Sequence, residues 1–237
     1  MSSNNDMLDF LNPLMQNNDG LIRKVTAYIG TQIAEMHEIA KTYESQYPKL
    51  CQAVSEHTTQ EKWASAGKNT TYGYYTPSPI IDKLTSNMSK GKLLKDRPAT
   101  GDYFAYSFDS QARLLQADRY ANKRLSYRVL MVRDNPNVEY GLMFIGERQP
   151  TLMQGCKAIY DETGKIIEFF EVKMPLLIGG NLYTYEKYYY DDDGKLEGAD
   201  TILQGIYPKM CVYERYMVLD EGKKTKLILT SNYRSSL

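Results

Sequence analysis

Two histidines, three cysteines and many carboxylates and tyrosines are the groups in this 237-residue chain that could carry chemistry. A histidine base or a zinc centre needs an imidazole beside a nucleophile or further ligands at short, defined spacing. His37 and His57 lack such partners at a suitable spacing, and His37, between Met36 and Glu38, reads as a surface position on a helix. Cys51, Cys156 and Cys211 are odd in number and far apart. That pattern fits neither a disulfide framework nor a metal site. The thiols read as buried or half-buried groups of a reducing compartment, so a cytoplasmic location is expected. A Cys156–Cys211 bridge is the less favoured reading.

Carboxylate pairs could serve as acid and base, but the sequence places no two together. Glu168 and Glu171 are three apart and fall on opposite faces of a strand, as do Glu186 and Asp191. Asp191-Asp192-Asp193-Gly194 resembles a calcium loop only superficially: aligning the glycine puts Tyr189 at the first ligand position. A hairpin turn accounts for it better. The chain contains no Gly-x-Ser-x-Gly, Walker or Gly-x-Gly-x-x-Gly motif. No catalytic residue, metal or cofactor is therefore expected, and an enzyme is the less favoured class.

Charge is balanced overall, with 29 basic and 29 acidic residues, which argues against nucleic acid or a membrane surface as a partner. Locally it is not. Residues 111–133 hold six bases (Arg113, Arg119, Lys123, Arg124, Arg128, Arg133) against Asp118, and residues 186–200 hold six acids against Lys187 and Lys195. The two segments can be read as solvated faces that neutralise each other. Arg119, Arg124 and Arg128 could alternatively hold an anionic ligand. The 21 tyrosines point to strands and half-buried sites, and Tyr183, Tyr185, Tyr188, Tyr189 and Tyr190 crowd one strand. By parity Tyr183, Tyr185 and Tyr189 share one face, and Tyr188 and Tyr190 the other.

These groups must be positioned by a helical N-terminal third and a sheet. Ile22, Val25, Ile29, Ile33, Met36, Ala40, Tyr43 and Tyr47 recur at steps of three and four, predicting an amphipathic helix after Asp19, with Pro48 either its stop or the first residue of the next helix. Leu50, Cys51 and Val54 continue a second helix. Thr58 and Glu61 have the form of a capping box and predict a third around Trp63. Ser78-Pro79 predicts a short helix through Ile80, Ile81, Leu84 and Met88. From Asp102 the pattern turns to strands. The fold class expected is α+β: residues 1–101 helical, packed on a large antiparallel meander of about ten strands over 102–237, open or closed into a barrel, in one compact domain.

The strands are punctuated by one recurring form: Phe108-Asp109-Ser-Gln-Ala112-Arg113-Leu114, Tyr160-Asp161-Glu-Thr-Gly164-Lys165-Ile166 and Tyr190-Asp191-Asp-Asp-Gly194-Lys195-Leu196, with a looser copy at Leu219-Asp220-Glu-Gly222-Lys223. The Asp side chain can bond backbone N–H groups just ahead, and the glycine takes positive φ where the strand resumes. Asp134-Asn-Pro-Asn137 is a turn of another type. The form resembles the YD repeat of Rhs-type bacterial proteins and the hairpins of small immunity proteins encoded beside polymorphic toxins. That resemblance covers about 28 residues. It implies a cytosolic, stoichiometric inhibitor (an antitoxin) without catalysis, whose partner is another protein.

Protein binding is thus the first expectation, through an exposed sheet bearing Tyr188, Tyr190, Asp191, Asp192 and Asp193. The alternative is a calycin-like barrel that carries or acts on a small anionic or apolar ligand through Arg119, Arg124 and Arg128. The N-terminal helix also suits a dimer seam.

Overall fold

The computed structural model describes residues 19–67, 71–80, 91–146, 148–173, 183–204, 210–220 and 225–236. The apolar stripe forms α1 (Asp19–Glu44), and a proline in the first turn opens α2 (Tyr47–His57). The third predicted helix is not formed. Thr58 takes an extended conformation, and its N–H and hydroxyl both bond back to the Val54 carbonyl, at 2.9 and 2.6 Å. Thr58 thus closes α2 instead of starting a helix with Glu61. Residues Gln60–Ser65 become strand β1, because Trp63 and Ala64 pair with neighbours on both sides and that ladder outweighs a local capping preference. The predicted helix through Met88 falls largely on 81–90, outside the described residues.

β2 is only Leu93–Leu94. Ten strands follow Asp102, as the turn spacing predicts: β3 (Tyr103–Phe108), β4 (Leu114–Ala121), β5 (Arg124–Asn135), β6 (Val138–Ile145), β7 (Thr151–Tyr160), β8 (Ile166–Lys173), β9 (Tyr183–Tyr190), β10 (Leu196–Gln204), β11 (Met210–Asp220) and β12 (Thr225–Ser236). They form one antiparallel meander, in the order β12 to β3 and then β1 and β2. β12 and β2 end the sheet without pairing, so the barrel reading is corrected: the sheet is open. Two-residue β2 could not match twelve-residue β12 along a closing ladder.

The recurring form makes the hairpin turns. Asp109 Oδ1 accepts from the N–H groups of Gln111 and Arg113, both at 2.9 Å. Asp161 Oδ1 accepts from Thr163 and Lys165 at 2.8 and 2.9 Å, and Asp191 Oδ1 from Lys195 at 2.7 Å. Gly164 and Gly194 have φ of 81° and 77°, and Ala112 has 60° in the equivalent place. The fourth copy runs into 221–224, outside the described residues. At Asp109, burial would raise the pKa, but the Arg113 N–H, the Arg113 side chain and the Gln111 N–H together hold the carboxyl below its usual value. Asp109→Ala is expected to lower stability by about 1–2 kcal/mol at neutral pH. A depressed carboxylate contributes above its unfolded pKa and loses that contribution as pH falls through its folded one. Urea midpoints of the two proteins should therefore converge below about pH 4.

Both faces of the middle of the sheet are covered. Ile29 and Met36 of α1 are buried against Phe170, Tyr183, Tyr185 and Ile202, and α2 lies over Leu130, Leu142 and Phe144. The stripe from Ile29 to Tyr47 packs against the sheet of the same chain. Lys157 reaches Glu35 at 2.6 Å, and Arg128 bonds both oxygens of Asp118 while approaching Tyr47 and Cys51 of α2. On the opposite, inner face lies the 71–80 segment, with Tyr72 and Ile80 buried among Phe104, Tyr106, Val129 and Phe169. No described helix is long and apolar enough to cross a membrane.

Candidate functional site

Strand register decides which predicted site residues meet. Tyr188 does not lie on an exposed face: it is 4% exposed, and its hydroxyl donates to Glu186 Oε2 at 2.5 Å. The parity argument separates it correctly from Tyr183 and Tyr185, but each face of β9 has a covering layer. Tyr190 is half-buried, bonded to the Ile166 carbonyl at 2.7 Å. Only Asp191, Asp192 and Asp193 stand at the surface, on the β9–β10 turn.

The three arginines do not converge. Arg119 is opposite Tyr127 in the ladder, lies over the Phe104 ring on the inner face and bonds Asp102 at 3.0 Å. Arg128 is opposite Asp118 and bonds it on the helix-covered face, while Arg124 is exposed at the β4–β5 turn. The Arg-lined cavity of the ligand reading is corrected accordingly. Nor do the basic and acidic segments neutralise each other, since β6 to β8 separate them. Charges pair nearby instead: Arg113 with Asp109, Arg133 with Glu139, Arg215 with Asp200.

Sequence reasoning missed a carboxylate pair. Glu171 on β8 stands opposite Thr184 on β9, which places Glu186 two residues along on the same inner face. Glu186 Oε2 accepts from the hydroxyls of Ser78 at 2.6 Å and Tyr188 at 2.5 Å, and all three residues are buried. Cys156 is the cross-strand partner of Glu171, and the Tyr72 ring lies over it. A side chain on Gly141 would meet the Cys156 sulfur at 2.8 Å and the Tyr72 hydroxyl at 2.9 Å, so the glycine permits this packing.

Desolvation pushes the Glu171 carboxyl up to about 7, with the Glu186 charge adding and Lys173 opposing. Desolvation likewise raises Glu186 to about 6 against the two hydroxyl bonds it accepts. Burial drives the Cys156 thiol far above its ordinary value, so it is a poor nucleophile. The arrangement can hold a proton near neutrality. Its core residues, Ser78, Glu186 and Tyr188, are too enclosed for a substrate to reach. Among the described residues no group of three or more His, Cys, Asp or Glu side chains is placed to hold a metal.

A different surface stands at the far end of the sheet. Leu203, Met217, Leu219, Ile228 and Leu229, on β10 to β12, are large apolar side chains exposed to water, Met217, Leu219 and Ile228 on one face and Leu203 and Leu229 on the other. Met217 lies opposite Gly198 of β10 and Ile228 of β12, at the end of the sheet that the Asp191–Asp193 turn also borders. Compared with protein-family models and with curated protein sequences, the chain matches none.

Proposed function

We propose that this protein acts by binding another protein, as the immunity-type inhibitors that its hairpins resemble do, and that the β10–β12 end of the sheet is where the partner docks. The observation that carries the reading is the exposed apolar trio Met217, Leu219 and Ile228, which share one face of β11 and β12. Apolar groups gathered at one place on a surface are characteristic of interaction sites, whereas scattered ones are not. Met217 and Ile228, cross-strand partners, are 40% and 37% exposed and would supply the apolar contact. The acidic Asp191–Asp193 turn beside them would steer a basic partner and fix its orientation. The edge strand β12 adds backbone groups for pairing.

Tyr188 supports this role only from inside, by holding the sheet's inner layer. The ligand-carrier reading has lost both the closed barrel and the convergent arginines.

The test is to capture the partner from the native cell and titrate it against the wild-type protein and a Met217→Lys/Ile228→Lys double variant. A 1:1 complex is expected, weakened at least about a hundredfold in the variant, since central apolar anchors often each carry more than 1 kcal/mol. Asp192→Asn/Asp193→Asn should slow association and flatten its salt dependence. Unchanged affinity in a correctly folded double variant would remove this surface from the proposal.

A further inference from the structure

We infer that the 71–80 segment is a proton-dependent strap: it is pinned to the inner face while the Glu171–Glu186 pair holds one proton, and it loosens when both carboxyls are ionised. The pin is specific. Ser78 at one end of the segment donates to Glu186, and Tyr188 donates to the same oxygen. At the other end Gln154 and Tyr127 bond the hydroxyl and the carbonyl of Thr71, at 3.2 and 3.0 Å. Between them Tyr106 bonds the Tyr72 carbonyl and receives the Tyr74 N–H. The strap therefore closes over Glu186 and keeps water from it, with partly buried Glu171 beside it on the same face.

The charges around the pair are few. Glu171 has Lys173 beside it on β8, with neutral Cys156 and Gln154 on β7. Glu139 on β6 faces the same way but is matched by Arg133, Glu214 of β11 lies beyond Thr201 in the Glu186 row, and Tyr216 lies beyond Ala199 in the Tyr188 row. The strap itself contributes Tyr72 and Ser78 and no cation. Two ionised carboxylates on this face repel with little to offset them. Glu186 is the one whose charge two hydroxyls stabilise, so Glu171 keeps the shared proton. Opening the strap readmits water and relieves both groups.

The direction follows from linkage. Glu171 binds its proton more tightly with the strap closed than open. Closure is therefore favoured on the acid side and weakened as pH rises through neutrality.

Hydrogen exchange read by mass spectrometry on peptides covering 71–80 tests this on the full chain. After correction for intrinsic exchange, protection should fall about tenfold or more between about pH 6 and about pH 8.5 in the wild type. In Glu171→Gln, which cannot ionise, it should stay level. Lys173→Ala, at an exposed site, should move the fall to higher pH, because losing the cation makes Glu171 harder to ionise. The same pH dependence in wild type and Glu171→Gln, level protection in the wild type, or a fall that Lys173→Ala does not move upward would each overturn the inference.

Discussion

Asp200→Ala should lower the free energy of unfolding by about 2–3 kcal/mol, the cost of removing a buried carboxylate from its charge-assisted hydrogen bonds. Asp200 is 0% exposed at the centre of a polar cluster on the helix-covered face. Its Oδ1 accepts from Arg215 Nε at 2.6 Å and from the Tyr213 hydroxyl at 2.9 Å. Its Oδ2 accepts from the second Arg215 nitrogen at 2.9 Å and from the Tyr189 hydroxyl at 2.6 Å. One carboxylate thus joins three adjacent strands, β9, β10 and β11, through four hydrogen bonds. Alanine removes the charge that offsets Arg215 and the acceptor of both phenols, and opens a space that the sheet cannot close. Asp200→Asn keeps the volume and one acceptor, so it should lose less. Urea unfolding followed by the single tryptophan, Trp63, checks both. A loss below about 1 kcal/mol for alanine would mean that the cluster is replaceable by water.

Gly73→Ala should cost about 3 kcal/mol, from two separable sources. Gly73 has φ of 59°, where a side chain adds about 1–2 kcal/mol of backbone strain. An added methyl would also overlap the Tyr106 hydroxyl and come within 2.6 Å of the Phe104 ring, adding about 1–3 kcal/mol of crowding. Gly164→Ala separates the terms. Its φ is 81°, but nothing lies within 4 Å of the added atom, so it should show the backbone cost alone, about 1–2 kcal/mol. Equal losses at the two positions would mean that the strap yields at Gly73 and is less firmly seated than its contacts imply. Paired thermal and urea unfolding curves measure the difference.

Much of the fold is legible in the sequence because its rules are local. The Asp-x-x-Gly-base form encodes its own turn through bonds two and four residues ahead, and the three described copies all form it. The stripe of α1 and the Pro48 boundary are legible for the same reason. β1 is not, because Thr58 and Glu61 satisfy a local rule that a ladder with Tyr103–Phe108 overrides. Parity sorts the tyrosines of β9 correctly yet says nothing of which face meets water, and here both faces are covered. The Glu171–Glu186 pair is out of reach for a deeper reason. Parity within one strand cannot reveal neighbours across two, and the Gly179-Gly180 turn signal between β8 and β9 does not fix their register. Ser78 completes that site from 108 residues away in sequence, a relation that no spacing rule contains. The arginines mislead for the converse reason: clustering in sequence put Arg119 and Arg128 on opposite sides of the sheet.

The strand order has a bearing on how the chain reaches this state. From β3 to β12 every ladder joins consecutive strands, so the sheet has low contact order for its size. Each hairpin closes a short loop with little entropic cost, and the next strand adds to an edge already formed. The contacts that span the sequence lie outside the ladders: Glu35 with Lys157 across 122 residues, Ser78 with Glu186 across 108. They have no docking surface until β7 to β9 stand side by side. The sheet can therefore grow as the chain is synthesised, while α1 and the 71–80 segment, though made first, settle onto it last.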